Sequence, residues 1–189
     1  RRGIEELTQK INQVYSALID AVDIYRGTVI NFAGDAITCW FDAEEHDATA
    51  RAVACALAMQ TAMASFDDLA LKVAVTSGPA RRFIVGDPAI QYIDTLAGAT
   101  IARLAAGEQL ALKGEVLLDN ASITILGSAV QVVEWRSAES RDNFAVLGTA
   151  SLPISPTEPG DLLEVATAII KPCLLPAAYI REEGGFGAF

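Results

Sequence analysis

The chain has 189 residues, is 52% hydrophobic, and carries 24 acidic against 14 basic side chains, for a net charge of −10. This length can bury the core of one domain and leave a tail, but it is short for two full domains. The charge repels a phosphate backbone, which excludes a nucleic-acid polymer as a partner. A smaller polyanion would bind only where metal ions or another chain supply positive potential.

The cysteines, the histidine and the apolar runs limit the class of protein. Cys39, Cys55 and Cys173 are scattered without CxxC spacing, which is typical of a reducing compartment and argues against a disulfide framework or a zinc site. One histidine, His46, excludes a histidine metal cluster within the chain. No apolar run reaches the roughly 18 to 20 residues of a membrane span. We therefore expect a cytoplasmic protein, or the cytoplasmic part of a larger one.

The first predicted elements are a helix and a β-hairpin. Apolar residues at steps of three and four form one stripe of an amphipathic helix that ends near Gly27: Ile4, Leu7, Ile11, Val14, Leu18, Val22 and Tyr25. Residues 28–33 and 36–41 are rich in β-branched and aromatic side chains and are predicted to be two strands, joined through Gly34-Asp35.

The two faces of this hairpin differ in chemistry. A turn centred between Gly34 and Asp35 predicts three cross-strand pairs on an apolar face that packs against helices: Phe32 with Ile37, Ile30 with Cys39, and Thr28 with Phe41. The opposite face mixes small and polar groups, including Asn31, with the large aromatic Trp40. Such a mixture favours a cleft or a protein interface.

The remaining elements alternate between helices and strands. They are predicted as a helix over 47–66 with its N-cap at 46–47, a strand over 69–77, a short strand over 82–85, a helix over 90–112, a strand over 116–118, and a hairpin of 130–135 with 144–147. This order predicts an α+β sandwich with a mostly antiparallel sheet.

The composition changes after residue 150. Three prolines precede a predicted helix over 161–171, and a glycine-rich end follows. We therefore divide the chain into a domain over 1–150 and, over 151–189, a linker with one docked helix.

The dipeptide Gly34-Asp35 has a structural and a functional interpretation. Alone it is ordinary turn chemistry, because aspartate tolerates turn conformations. In context, "YRGTVINFAGDAITCWF" between an amphipathic and an Ala-rich helix resembles the catalytic domain of class III nucleotide cyclases. The wording "FAGDA" and the preceding "GIEELTQKINQVYSALIDAV" are most similar to the first cyclase domain of the bicarbonate-responsive soluble adenylyl cyclases. The resemblance covers roughly residues 3–150.

This resemblance implies a fold, a reaction and a metal site. It implies a ferredoxin-like α/β sandwich that converts ATP to cyclic AMP and pyrophosphate with two ions of Mg²⁺ or Mn²⁺. Asp35, beside Gly34, would be one of the metal-binding carboxylates. The family's other metal aspartate lies on a strand before the first helix. This sequence begins at the helix and therefore does not include that strand. Either the chain is truncated or incompletely ordered there, or the domain is degenerate.

Two further residues resemble nucleotide or anion ligands of the family. The stretch "IQYIDTLAGATIARLAAGE" matches a region that supplies a base-recognising aspartate and a helix arginine. Asp94 is the candidate for the base, with a helix N-terminal acid as the alternative. Arg103 is the candidate for an anion, with a solvated helix arginine as the alternative. Asn31 stands where the family motif usually has a lysine, which in the first domain of the soluble branch belongs to a basic pocket resembling a bicarbonate site.

The resemblance also implies a partner, because cyclases of this family build the active site between two domains. A second cyclase domain, in tandem or in a homodimer, would meet this chain through the face that carries Trp40 and Asn31. One alternative is a regulatory pseudocyclase that keeps the fold and loses catalysis. A second is an interaction domain of similar build that binds no nucleotide.

Overall fold

The computed structural model describes residues 2–44, 47–157 and 171–173, with side chains for 7–44, 47–157 and 172–173. Twelve principal elements follow one another in chain order. They are α1 (Arg2–Ile24), β1 (Thr28–Ala33), β2 (Ala36–Trp40), α2 (Ala48–Met63), β3 (Val73–Val75), β4 (Arg81–Asp87), β5 (Gln91–Ala97), α3 (Ala99–Leu110), β6 (Val116–Asp119), α4 (Asn120–Leu126), β7 (Val130–Ser137) and β8 (Asn143–Ala150). The prediction of an α+β fold with mostly antiparallel strands is confirmed.

Helix α1 packs only part of its apolar stripe within this domain. Leu18 and Val22 are buried against α2 and the β1–β2 hairpin. Toward the N-terminus, Leu7 is 56% exposed and Ile11 is 40% exposed. The stripe that predicted the helix therefore continues past the core of the described chain.

The β1–β2 hairpin forms where predicted, but its register contains a bulge. Phe32 pairs with Ile37 as expected, whereas Cys39 pairs with Val29 and not with Ile30. The predicted pair of Thr28 with Phe41 is likewise wrong, since Thr28 pairs with Trp40. One extra residue on β1 between Val29 and Asn31 produces the shift. Val29 then joins Ile37, Cys39 and Phe41 against the helices.

Four strands form the main sheet, in the order β3-β6-β8-β7. The β3–β6 pair is parallel and the other two pairs are antiparallel. Its centre is dry, because Leu117, Leu118 and Phe144 are fully buried. The sequence predicted a longer third strand, over 69–77, but only Val73–Val75 is paired.

Helix α2 connects the main sheet to the hairpin. Val53 and Ala56 pack on the main sheet, while Cys55 and Met59 pack on α1 and the hairpin. Within the described residues β2 pairs only with β1, and β3 pairs only with β6. Each of these two strands therefore has one edge without a strand partner in that part of the chain.

The helix predicted over 90–112 is wrong in its first half. Gln91–Ala97 is a strand that pairs with β4, and α3 begins only after Gly98. The isoleucine, threonine and tyrosine of this stretch suit a strand, and Gly98 interrupts the chain at φ +130. Ladder pairing with β4 thus overrides the apolar spacing that predicted a helix.

One helix was missed by the sequence prediction, and another predicted helix is not tested. The short helix α4 was not predicted. The predicted helix over 161–171 lies almost wholly outside the described residues, so the division of the chain at residue 150 stays a prediction. In the described part of the chain, no helix is long and apolar enough to cross a membrane.

Candidate functional site

Gly34 and Asp35 form the two-residue turn between β1 and β2. Ala33 pairs with Ala36 directly below the turn. Gly34 has φ +65, where glycine is favoured, and a Cβ there would meet nothing within 4 Å. Both turn residues are exposed, and the Asp35 carboxylate makes no hydrogen bond or ion pair with any described residue. It is therefore available to a ligand from outside the domain.

Helix α1 contacts the tip of the hairpin through Tyr15. The Tyr15 hydroxyl donates to the carbonyl oxygen of Gly34 at 3.1 Å. Its ring meets Phe32 edge to face, with 5.2 Å between ring centroids and an angle of 89°. The residue before the candidate metal ligand is thus held by a side chain 19 positions earlier in the chain.

Helix α2 holds the base of the same hairpin through Arg51, which is only 7% exposed. Its guanidinium donates to the carbonyl oxygens of Tyr25 at 3.2 Å and Arg26 at 2.8 Å, before β1. It also donates to the carbonyl oxygen of Asp42 at 2.7 Å, after β2, and lies 5.9 Å from the centre of the Phe41 ring. One arginine therefore holds the start of β1 and the end of β2 together at the base of the hairpin.

Asp94 lies on β5 and not at a helix N-terminus, so that alternative is wrong. Arg82 Nε donates to both carboxylate oxygens of Asp94, at 3.0 and 2.9 Å. The hydrogen bond to Asp94 raises the pKa of Arg82 above its usual value. Arg82 lies on β4 and Asp94 on β5, so the ion pair joins the two strands of one hairpin. A nucleotide base that bound Asp94 would share the carboxylate with Arg82.

Arg103 lies on α3 and is not a freely solvated arginine. Its Nε donates to Asp119 at 3.1 Å and its Nη2 to the carbonyl oxygen of Ser77 at 2.9 Å. Asp119 is 2% exposed and also accepts from the Ser122 amide and hydroxyl at 2.8 and 2.6 Å. A buried polar network therefore ties α3 to the ends of β3 and β6, and it uses two of the arginine's three nitrogens.

The candidate residues do not form one cluster within this domain. The structure joins Arg103 to Asp119 and Asp94 to Arg82, and it places Asp35 in neither pair. Among the described residues, no group of three or more histidine, cysteine or acidic side chains is arranged to hold a metal ion. A site of one exposed carboxylate fits Mg²⁺ only when substrate oxygens, water or another acidic residue complete the shell.

The predicted interface residues lie on the hairpin. Asn31 is exposed on β1 and pairs with Thr38, while Trp40 is partly buried at the end of β2. The β4–β5 hairpin is more exposed, and its two faces and its turn carry large exposed apolar side chains: Phe83, Ile84, Val85, Ile90 and Ile93. Exposed apolar groups in such number mark an interaction surface more often than a solvated edge.

Two surface grooves lie elsewhere. A groove of about 600 Å³ runs between α2 and the segment that follows β8, and a second of about 340 Å³ lies beside Arg26 and Arg51. Neither groove is lined by Asp35, Asp94 or Arg103.

Sequence reasoning missed Tyr15, Arg51 and Asp119. Tyr15 adjoins the apolar stripe of α1. Arg51 is a charged residue among the small residues of an Ala-rich helix, and this contrast is the signal that could have identified it. Asp119 carried no such signal, because an acid followed by Asn-Ala-Ser is an ordinary helix cap.

Comparison with known proteins gives a clear result for the fold. The sequence matches no protein-family model and no curated protein sequence. Among solved structures, the guanylyl cyclase Cya2 is 20% identical, with a TM-score of 0.72 over 81% of this chain and 85% of that chain.

Two other similar structures differ in their nucleotide. The adenylyl cyclase CyaB from P. aeruginosa is 15% identical, with a TM-score of 0.71 over 80% of this chain and 86% of that chain. The guanylate cyclase domain of RhGC from Catenaria anguillulae, in complex with GTP, is 15% identical, with a TM-score of 0.68 over 78% of this chain and 86% of that chain. The chain therefore has the fold of adenylyl and guanylyl cyclase domains.

Proposed function

We propose that this chain is the metal-binding half of an adenylate cyclase site that converts ATP to cyclic AMP and pyrophosphate. The observation that carries this proposal is Asp35, an exposed carboxylate without an ion-pair partner among the described residues, on a turn in a cyclase fold. ATP is preferred to GTP only because "FAGDA" resembles the soluble adenylyl cyclases, since the similar structures include both kinds of enzyme.

Asp35 would hold Mg²⁺ or Mn²⁺ as a hard oxygen ligand. When bound, two such ions would lower the pKa of the ribose hydroxyl and neutralise the leaving pyrophosphate. They would also supply positive charge to a chain whose net charge is −10. The residues of this domain contribute the rigid hairpin that carries the carboxylate, with Gly34 allowing the turn.

A second acidic ligand would have to come from another segment or another chain. In the family that the sequence resembles, this aspartate lies on a strand before the first helix. Strands β2 and β3 each have an edge without a strand partner in the described part of the chain, and both lie under α2. A strand that paired with one of these edges is the source we propose for the second acid.

The partner would be a second cyclase domain, either in tandem or in a homodimer. The exposed apolar side chains of the β4–β5 hairpin support such pairing, together with Leu7 and Ile11 on α1. A similar guanylyl cyclase domain from Blastocladiella emersonii, 14% identical with a TM-score of 0.64, is described as a non-canonical dimer in one structure and as monomeric in two others. Trp40 and Asn31 would lie at the same junction. Reduced Cys39 and Cys55 are consistent with a cytoplasmic location.

Asp94 and Arg103 would complete the nucleotide site less directly. Asp94 would read the base through a carboxylate that also accepts from Arg82, with Oδ1 keeping capacity for a further donor. With Nε and Nη2 on Asp119 and Ser77, the Nη1 group of Arg103 makes no hydrogen bond to another described residue and would be the group that meets an anion. We therefore expect Arg103 to bind a phosphate or a small anion without leaving the buried network.

A regulatory pseudocyclase is the second candidate. It is favoured by Asn31 in place of the family's lysine and by the single acidic ligand that the described residues supply. Such a module would keep the pairing surface and lose metal-dependent nucleotide binding.

Calorimetry distinguishes the two candidates. The intact protein is titrated with a non-cyclisable ATP analogue in the presence and absence of Mn²⁺, beside Asp35→Ala and the matched control Asp67→Ala, which removes an exposed acid outside the turn. A cyclase predicts Mn²⁺-dependent binding that is lost in Asp35→Ala and kept in Asp67→Ala. Equal binding by both variants would remove Asp35 from the site, and no binding by any of them would favour the pseudocyclase.

A further inference from the structure

The turn that carries Asp35 needs a contact from outside the hairpin to fix its orientation. Gly34 has φ +65 and no side chain, so the peptide plane between Gly34 and Asp35 can rotate at low energetic cost. Both residues are exposed and pack against no core. An unsupported glycine turn would present the carboxylate in several directions, whereas metal binding needs one.

Tyr15 supplies a support at this point. Its hydroxyl donates to the Gly34 carbonyl oxygen at 3.1 Å. That oxygen belongs to the same rigid peptide plane as the amide nitrogen of Asp35, so fixing the oxygen also fixes the bond that leads to the Asp35 α-carbon. The contact therefore restrains the direction of the carboxylate without touching it.

The other contacts of Tyr15 and of the hairpin indicate that the Tyr15 hydroxyl orients the turn and adds little to the stability of the domain. The ring of Tyr15 already packs edge to face on Phe32, a contact that phenylalanine would keep. Phe32 is 50% exposed, so this contact adds little to the buried core. The base of the hairpin is held independently by Arg51, through three carbonyl oxygens at the other end of the strands.

We propose that Tyr15 is a positioning residue that orients Asp35 for metal binding by fixing the Gly34 carbonyl. This rests on the proposed metal role of Asp35 and adds a residue to it. Tyr15→Phe would then weaken Mn²⁺ binding about threefold to tenfold, the loss expected for one hydrogen bond to the ligand's support. The unfolding temperature would stay nearly unchanged, because the ring and the base of the hairpin remain.

The test uses the intact protein with Mn²⁺ as the probe, in the presence of a non-cyclisable ATP analogue. Binding is measured by the paramagnetic resonance signal of free Mn²⁺ for the wild type, Tyr15→Phe, Asp35→Asn and Tyr25→Phe. Tyr25→Phe is the matched control, because it removes a hydroxyl from the same segment of chain but leaves the turn untouched. The second readout is the carbonyl carbon chemical shift of Gly34 without ligand, which reports the hydrogen bond directly.

The outcomes separate this inference from the proposed function. Weaker binding and a changed Gly34 shift in Tyr15→Phe, with Tyr25→Phe like the wild type, support the positioning role. Loss of binding in Asp35→Asn beside wild-type binding in Tyr15→Phe overturns the inference and leaves the proposed function standing. Unchanged binding in Asp35→Asn overturns the metal role, and the inference with it.

Discussion

Arg51 gives the sharpest prediction about how the hairpin is attached to the domain. The perturbation is Arg51→Met, which keeps an unbranched apolar stem on α2 and removes the guanidinium. The side chain is 7% exposed and bridges three carbonyl oxygens at 2.7, 2.8 and 3.2 Å. No other residue among those described is seen to join the segments before β1 and after β2 in this way.

The magnitude follows from these three contacts. Each carbonyl oxygen that loses its donor costs about 1 kcal/mol where water can partly replace the donor, as near the exposed Asp42. Three such losses predict roughly 3 kcal/mol of lost stability, which for a domain of this size lowers the unfolding temperature by about 6 to 12 °C. Arg51→Lys keeps the charge but offers a single nitrogen, so about half of this loss is expected.

The assay is equilibrium unfolding in urea, followed by circular dichroism. Arg81→Met is the matched control, because Arg81 is exposed on β4 and surface changes stay within about 0.5 kcal/mol. The expected result is a lower midpoint with an unchanged slope. A loss below about 0.5 kcal/mol in Arg51→Met would show that the hairpin is held by its apolar contacts alone and would refute the reasoning.

Two further predictions concern packing and pH. In Gly107→Ala the new Cβ would lie 2.7 Å from a ring carbon of the fully buried Phe144. Overpacking of about 1 to 3 kcal/mol should exceed the helix-propensity gain of about 1 kcal/mol, so the variant should be less stable than the wild type. A higher urea midpoint would contradict this. Hydrogen bonds from Arg136 lower the pKa of Glu115 below its usual value, so its contribution is present above that value and is lost as pH falls through the lowered pKa. Glu115→Gln should therefore be less stable than the wild type near neutral pH, and the difference should shrink in acid; a difference that does not change with pH would count against the ion pair.

The sequence predicted the hairpin and its turn because both depend on local chemistry. Gly34 supplies the positive φ, and the flanking strands are rich in β-branched and aromatic residues. The bulge near Ile30 was not predictable, since register depends on how the strands pack against α1 and α2. Likewise, the strand Gln91–Ala97 forms through pairing with β4, which an apolar spacing count does not include.

For the site, the sequence supplied the candidates and the structure supplied their partners. Asp35 was located from a motif, and its exposed position is consistent with the predicted role. The ion pairs of Asp94 with Arg82 and of Arg103 with Asp119 could not be predicted, because each joins residues from different elements. The roles of Tyr15 and Arg51 were not predicted for the same reason, because each contacts the hairpin from a different element.

The central claim is that Asp35 serves a nucleotide cyclase reaction. The most direct measurement is a cyclase assay of the intact protein with Mn²⁺ and either ATP or GTP, beside Asp35→Asn, with the product identified by mass. We predict cyclic AMP from the wild type and a loss of at least about a hundredfold in Asp35→Asn, as expected when a ligand that stabilises transition-state charge is removed. Equal activity in the wild type and Asp35→Asn, or no cyclic nucleotide from the wild type, would contradict the account.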